Sequence, residues 1–163
     1  MGCDRGEFQD IALRSATTSD VRFVVEMARY ACVIEDRPLP DSASEETQSL
    51  LPGIDDIVVV AAGAAGARLG AAWTFRNDPP LIVDADGVVL PEVAVAVVPE
   101  SRGRGVGGAL LDELVTRSSA AKRGLSLNVH VRNPALRLYE RKGFRTVGQG
   151  RGTFGIAMRI DIR

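Results

Sequence analysis

The sequence predicts a mixed fold of the α/β (α+β) class. Three observations carry that expectation. Apolar runs of strand length occur at residues 57–62, 93–98 and 125–131. Apolar residues recur at helical spacing after Asp20, ahead of these runs, and after Gly105, between the second and third. Proline- and glycine-rich turns separate strand from helix at nearly every junction. The 163 residues suit one domain, and 45% hydrophobic with 25% charged residues are globular values.

The elements follow in order. Residues 11–14 read as a short strand. Thr17 and Asp20 have capping-box spacing, with Asp in place of Glu, and open a helix whose inner face is Val21, Val24, Val25, Ala28, Ala31 and Cys32. Two prolines in residues 35–41 break it, and residues 42–51 form a second helix stopped by Pro52-Gly53. Residues 57–62 are a buried strand, 63–66 a hairpin turn and 67–75 the partner strand, although its three alanines and Gly70 favour a strand only weakly. Residues 81–90 read either as a small hairpin about Asp84-Ala85-Asp86-Gly87 or as an insert loop. After the strand at 93–98, a helix carries Val106, Leu110, Leu111, Leu114 and Val115 inward. Residues 125–131 alternate strictly. Asn133 then suits an N-cap, Pro134 the first helical position and Gly143 the residue past the helix end. Closing strands are expected near 144–147 and 154–162.

Composition excludes several function classes. A net charge of −1 and a pI near 5.9 argue against a nucleic-acid binder. No run of 18 apolar residues exists to span a membrane. Residues 1–10 lack the apolar core of a secretory signal, and Gly6 stands where a myristoylation signal needs Ser or Thr. They read as a disordered tail ahead of a domain at 11–163. Cys3 and Cys32 build no disulfide framework, so a reducing, cytoplasmic setting is expected. With His130 the sole histidine, a metal site is not expected, and no nucleophile-elbow motif is present.

The stretch carrying most chemistry is Arg102-Gly103-Arg104-Gly105-Val106-Gly107-Gly108, between a strand and a helix. Unshielded backbone N–H groups, two guanidinium groups and a helix start fit a phosphorylated ligand. Gly103, Gly105 and Gly108 match G-x-G-x-x-G literally. A dinucleotide loop, however, follows its strand at once and has an acid about 20 positions on. Here residues 99–102 intervene, and no acid lies between Glu113 and Glu140. A P-loop lacks its Gly-Lys-Ser/Thr. A plain turn would not need so many glycines, each costly inside a helix start.

The order of residues here resembles the GNAT N-acetyltransferase superfamily. Arg102, Gly105 and Gly107 meet its Arg/Gln-x-x-Gly-x-Gly/Ala loop, preceded by Val97, Val98 and Pro99. A second element, ending in Leu-Tyr-Glu-x-x-Gly-Phe, is met by Asn133, a shifted Ala135, Leu138, Tyr139, Glu140, Gly143 and Phe144. The match is clear over about residues 92–145 and fainter over 11–34. The resemblance implies a GNAT-like mixed, mostly antiparallel central sheet flanked by helices. Its central strand pair, ending near Val98 and Val131, would splay to admit acetyl-CoA as co-substrate, with no metal. It further implies that the amides of Gly103, Arg104, Gly105, Val106, Gly107 and Gly108, with Arg102 or Arg104, hold the pyrophosphate. The Val97 backbone would meet pantetheine or the thioester oxygen, and Asn133 would cap its helix, contact pantetheine, or both. Tyr139 would be the general acid and Glu92 the base, with His130 the second candidate for base. Each has a purely structural alternative: Tyr139 as a packed core tyrosine, Glu92 as an exposed strand-end carboxylate.

The expected function is acetyl transfer from acetyl-CoA to a primary amine of a small molecule or peptide. The alternatives are a non-catalytic CoA-binding or regulatory module on the same fold and, less in keeping with the missing acid, a nucleotide-binding oxidoreductase. Acids at Glu35, Asp36, Asp41, Asp78, Asp84 and Asp86 lie in the two segments that build the acceptor pocket in this family and would suit a cationic amine. The apolar closing strand could pair with a second copy to give a homodimer.

Overall fold

The computed structural model describes residues 11–33, 38–121 and 124–162. The tail at 1–10, and Glu35 and Asp36 of the acidic segment, lie outside them. The elements run β1 (Ala12–Ser15), α1 (Val21–Ala31), α2 (Glu45–Gln48), β2 (Val58–Ala62), β3 (Arg68–Phe75), β4 (Glu92–Val97), α3 (Val106–Ser118), β5 (Leu125–His130), α4 (Leu136–Arg141), β6 (Arg145–Gln149) and β7 (Gly155–Ile160). The seven strands form one sheet in the order β1-β2-β3-β4-β5-β7-β6. Every neighbouring pair is antiparallel except β4 and β5.

Strand alternation divides the core between the two faces of the sheet. Val59, Ala61, Ala72 and Val93 pack with Val106, Leu110, Leu111 and Leu114 of α3. Val60, Ala71, Trp73 and Ala94 point the other way, onto Val24, Met27 and Ala28 of α1. The weak strand character of β3 is explained by this double cover. Ala71 and Ala72 are both fully buried, one on each face. A Cβ on Gly70 would lie 2.7 Å from the Ala96 carbonyl oxygen and 3.1 Å from Leu110. Small residues are required there for close packing, which outweighs intrinsic propensity. Trp73, also fully buried, has its one polar atom satisfied: Nε1–H donates to the Leu50 carbonyl at 2.7 Å.

Local departures from the sequence reading have local causes. The segment at 42–51 shrinks to the four-residue α2. Ser44 caps its start, Oγ accepting the Thr47 N–H, while Thr47 Oγ1 and Gln48 take the Asp41 and Ser42 carbonyls ahead of that cap. Residues 81–90 form the small hairpin, with Val83 bridging Val89 and Asp84 Oδ1 accepting from the N–H groups of Asp86 and Val88. At the start of α1, the Thr17 N–H donates to Asp20 Oδ2 at 2.8 Å, as the capping-box spacing predicts. Asp20 is also wholly buried and ion-paired to Arg14 and Arg68. The closing strand β7 has ladder partners on both sides, β5 and β6, so it offers no edge to a second copy. The sheet edges are β1 and β6. No described helix is long and apolar enough to cross a membrane.

Candidate active site

β4 and β5 run parallel but pair at one register only, Glu92 with Ser126. Beyond that point they diverge, as the splayed-pair expectation requires. The alternation of the β3–β4 ladder, fixed by the Val98 N–H to the Leu69 carbonyl, turns the backbone polar groups of Val93, Val95 and Val97 toward the gap. A cavity of about 930 Å³ occupies the divergence. It is lined from Arg102 and Gly107 at one end, past Val95, Val97 and Tyr139, to Glu92 and Arg151.

The glycine loop follows a single 3-10 turn, Pro99–Ser101. Gly103 and Gly105 have φ of 74° and 83°, the left-handed region that disfavours any side chain. Gly105 is the N-cap of α3, and the first helical bond is from Ala109 N–H to its carbonyl. No acceptor among the described residues takes the N–H of Gly103, Gly105, Val106, Gly107 or Gly108. Five amides without partners at a helix start are donors that an anion can take. Arg102 folds back instead of reaching outward: Nε donates to the Val97 carbonyl at 3.0 Å, and the guanidinium lies 5.3 Å from the Tyr30 ring centre. The Val97 carbonyl is therefore engaged by Arg102, leaving its N–H on the gap side.

Tyr139 is fixed by the way its helix ends. Gly143 has φ of 100°, the Phe144 N–H bonds to the Tyr139 carbonyl, and the Gly143 N–H to that of Glu140. This is a Schellman closure, and its apolar contact is the edge-to-face pair of Tyr139 and Phe144, with ring centres 6.1 Å apart. The hydroxyl has no hydrogen-bond partner among the described residues. Burial pushes the phenol up to about 12, so it keeps its proton at neutral pH. At the other end of α4 the regular helix begins at Leu136, later than the sequence suggests. Asn133 still caps the preceding turn: its Oδ1 accepts the Ala135 N–H at 2.9 Å and its carbonyl accepts from Leu136. Asn133 also lines the cavity.

Glu92 is not an exposed strand-end acid. It is 2% exposed, and both its oxygens are held by Arg151, with Nη2 to Oε2 at 2.8 Å and Nη1 on Oε1. Sequence reasoning missed Arg151. It lies in a Gly-Arg-Gly stretch between β6 and β7 that reads as an ordinary turn, and only the fold brings it across to β4. Its Nη2 also donates to the Pro79 carbonyl, and its backbone N–H donates to Asn128 Oδ1 at 2.8 Å. His130 stands apart from the cavity lining: its Nδ1 accepts the Arg132 N–H and its ring packs on Phe154. Of the acids expected at an acceptor pocket, Asp41, Asp78, Asp84 and Asp86 do not line this cavity. Asp41 and Asp84 bond backbone N–H groups of their own turns.

Residues 55–146, more than half the chain, match the family described as the acetyltransferase (GNAT) domain. No curated protein sequence matches the chain. Solved structures do. A GNAT superfamily phosphinothricin acetyltransferase (Pat) from Sinorhizobium meliloti, in complex with AcCoA, is 25% identical with a TM-score of 0.69, covering 94% of this chain and 89% of that one. A GCN5-related N-acetyltransferase from Kribbella flavida is 21% identical, with a TM-score of 0.68 and coverage of 94% and 99%. A ribosomal-protein-alanine N-acetyltransferase from Brucella melitensis is 23% identical, with a TM-score of 0.68 and coverage of 93% and 99%. The domain match agrees with a sheet that parts between β4 and β5 beside a glycine-started helix, and on those grounds the chain belongs to the GNAT acetyltransferase family.

Proposed function

We propose that residues 11–163 form one catalytic unit that transfers an acetyl group from acetyl-CoA directly to a primary amine. The observation that carries this reading is the continuity of the cavity between β4 and β5. It joins an anion cradle at Gly103–Gly108 to an unpartnered tyrosine hydroxyl and a buried carboxylate. The unpartnered amides suit a pyrophosphate, and the gap-facing backbone of Val95 and Val97 suits the amide-bearing pantetheine arm. Arg104, on the exposed loop, adds positive charge at the same end.

In the reaction, an ammonium group loses one proton and its nitrogen attacks the thioester carbonyl. The carbon–sulfur bond breaks, giving an amide, CoA thiol and one released proton. The Val97 N–H is the donor for the oxygen that gains charge. Tyr139 donates to the departing sulfur. A phenol near 12 is a weaker acid than a thiol of about 8.5 in water. The cavity that raises Tyr139 also desolvates the thiolate and raises its basicity, which narrows that gap. Glu92 takes the amine's proton, directly or through water, on a lone pair that Arg151 does not occupy.

A thiol-release assay with acetyl-CoA across polyamines, amino acids, aminoglycosides and peptides tests the proposal. Tyr139→Phe should lower kcat by roughly 10²-fold, within the range for loss of a general acid, and keep the thermal stabilisation given by acetyl-CoA. Stabilisation by acetyl-CoA with no thiol release from any amine would identify a CoA-binding module instead.

A further inference from the structure

We infer that the acceptor is an amino-acid-like molecule, carrying a carboxylate beside the amine to be acetylated, and that Arg151 reads that carboxylate. The inference rests on the transferase reading above and assigns its substrate class.

The acceptor end of the cavity holds a preassembled ion pair. Glu92 supplies a carboxylate from the head of β4, and Arg151 supplies a guanidinium from the loop between β6 and β7. The two are 59 positions apart in sequence. The loop is built tightly enough to deliver Arg151 to one place. A Cβ on Gly150 would collide with Asn128 Oδ1, and one on Gly155 with the Arg151 carbonyl oxygen. Asn128 Oδ1 in turn holds the Arg151 N–H. The guanidinium is not saturated: its Nε–H has no acceptor among the described residues, and the side chain, which lines the cavity, is 36% exposed.

The pair sets a condition on catalysis. Arg151 takes one lone pair on each Glu92 oxygen, and its positive charge opposes an ammonium that approaches the lone pairs left over. Drawing the guanidinium away without replacement leaves the buried Glu92 carboxylate unpaired, which is strongly unfavourable. A simple cationic amine brings no replacement. Its positive charge would face Arg151, and the other carboxylate of the lining, Glu46, is exposed on α2. The other lining guanidinium, Arg102, is already engaged by Val97 and Tyr30. A compact zwitterion resolves the conflict by inserting between the partners. Its carboxylate takes the guanidinium in a charge-assisted pair and its ammonium takes Glu92. Charge balance is kept at every stage, and the ammonium reaches Glu92 with the Arg151 charge already matched by the acceptor's own carboxylate.

Matched acceptors give the test: leucine against isopentylamine, and phenylalanine against phenethylamine, in the thiol-release assay. The amino acid of each pair should be favoured by roughly 10²-fold or more in kcat/KM, as expected for a site that loses a charged partner. Arg151→Ala should abolish that preference chiefly through KM for the amino acid, and raise turnover of the carboxylate-free amine. Arg151→Lys, which keeps the charge without the fork, should retain part of the preference and guards against a folding defect in the alanine variant. Stabilisation by acetyl-CoA reports that each variant is folded. Equal rates within each pair, or an unchanged preference in folded Arg151→Ala, would overturn the assignment while leaving acetyl transfer intact. No thiol release with any amine would remove the transferase reading and this inference with it.

Discussion

Tyr139 shows how a side chain can be set by its neighbours without a side-chain hydrogen bond. The Schellman closure at Gly143 orients its backbone, Phe144 packs its ring, and burial alone moves its phenol. The shift has a measurable consequence at alkaline pH. In the unfolded chain the phenol ionises near 10, and in the folded protein near 12. Between those values the unfolded state sheds a proton that the native state keeps, so stability falls as pH rises. Below pH 10 both states are protonated and the effect vanishes. The stability of wild type relative to Tyr139→Phe should therefore decline by about 2–3 kcal/mol between pH 10 and 12, read from urea denaturation. Parallel curves for the two proteins would refute the account. Asp20 and Arg151 make the complementary point about legibility. Neither cluster shows in the sequence: Asp20 gathers Arg14 from 6 positions away and Arg68 from 48, Arg151 meets Glu92 across 59, and the sheet brings them together.

At the scale of elements, contiguous motifs were legible and tertiary ones were not. The glycine loop, the α4 cap and the Gly143 stop each lie within one short stretch, where backbone geometry dictates residue type. β3 was read as a strand despite its alanines, but the reason for them was not legible, because it lies in helices packed on both faces. The base candidate Glu92 was found by its place at the head of β4, but its burial and its guanidinium partner belong to the assembled fold. The start of α3 offers a test that separates folding from ligand binding. Gly107 is helical, and a Cβ there would meet Leu138 and Val97 only at ordinary contact distance, 3.7 Å. Gly107→Ala should thus stabilise the free protein by up to about 1 kcal/mol, through helix propensity. It should also shrink the thermal shift given by acetyl-CoA, since the methyl stands beside the amide row. A full-sized shift would mean that the glycine serves packing alone. Gly105→Ala, with its left-handed backbone, should instead cost about 1–2 kcal/mol before any ligand is added.

Across the whole molecule, Asp20 ties the first strand to the body of the sheet. Its carboxylate takes Arg14 from β1 and Arg68 from β3 at 2.7 to 2.9 Å while closing the start of α1. The Arg14 guanidinium, with help from Arg68 and the Thr17 N–H, holds the carboxyl well below the usual carboxylate range. A depressed folded value gives stability that is present above the unfolded value near 4 and is lost as pH falls below it. Asp20→Asn should lower stability by roughly 2–3 kcal/mol at pH 7, less than a fully buried pair because both arginines keep part of their side chains in water. The gap from wild type should narrow toward pH 2; a constant gap from pH 7 to pH 2 in denaturant titrations would count against the linkage.

The lone β4–β5 register makes the sheet two panels joined at a point: β1 to β4 on one side and β5, β7 and β6 on the other. Each panel has its own continuous ladder, so hydrogen exchange should find the Val95 and Val97 amides far less protected than their neighbours Ala94 and Ala96, which bond into β3. A molecule lying in the gap would act as an eighth strand. It would close a seam that the chain leaves open and turn two separately breathing panels into one cooperative sheet.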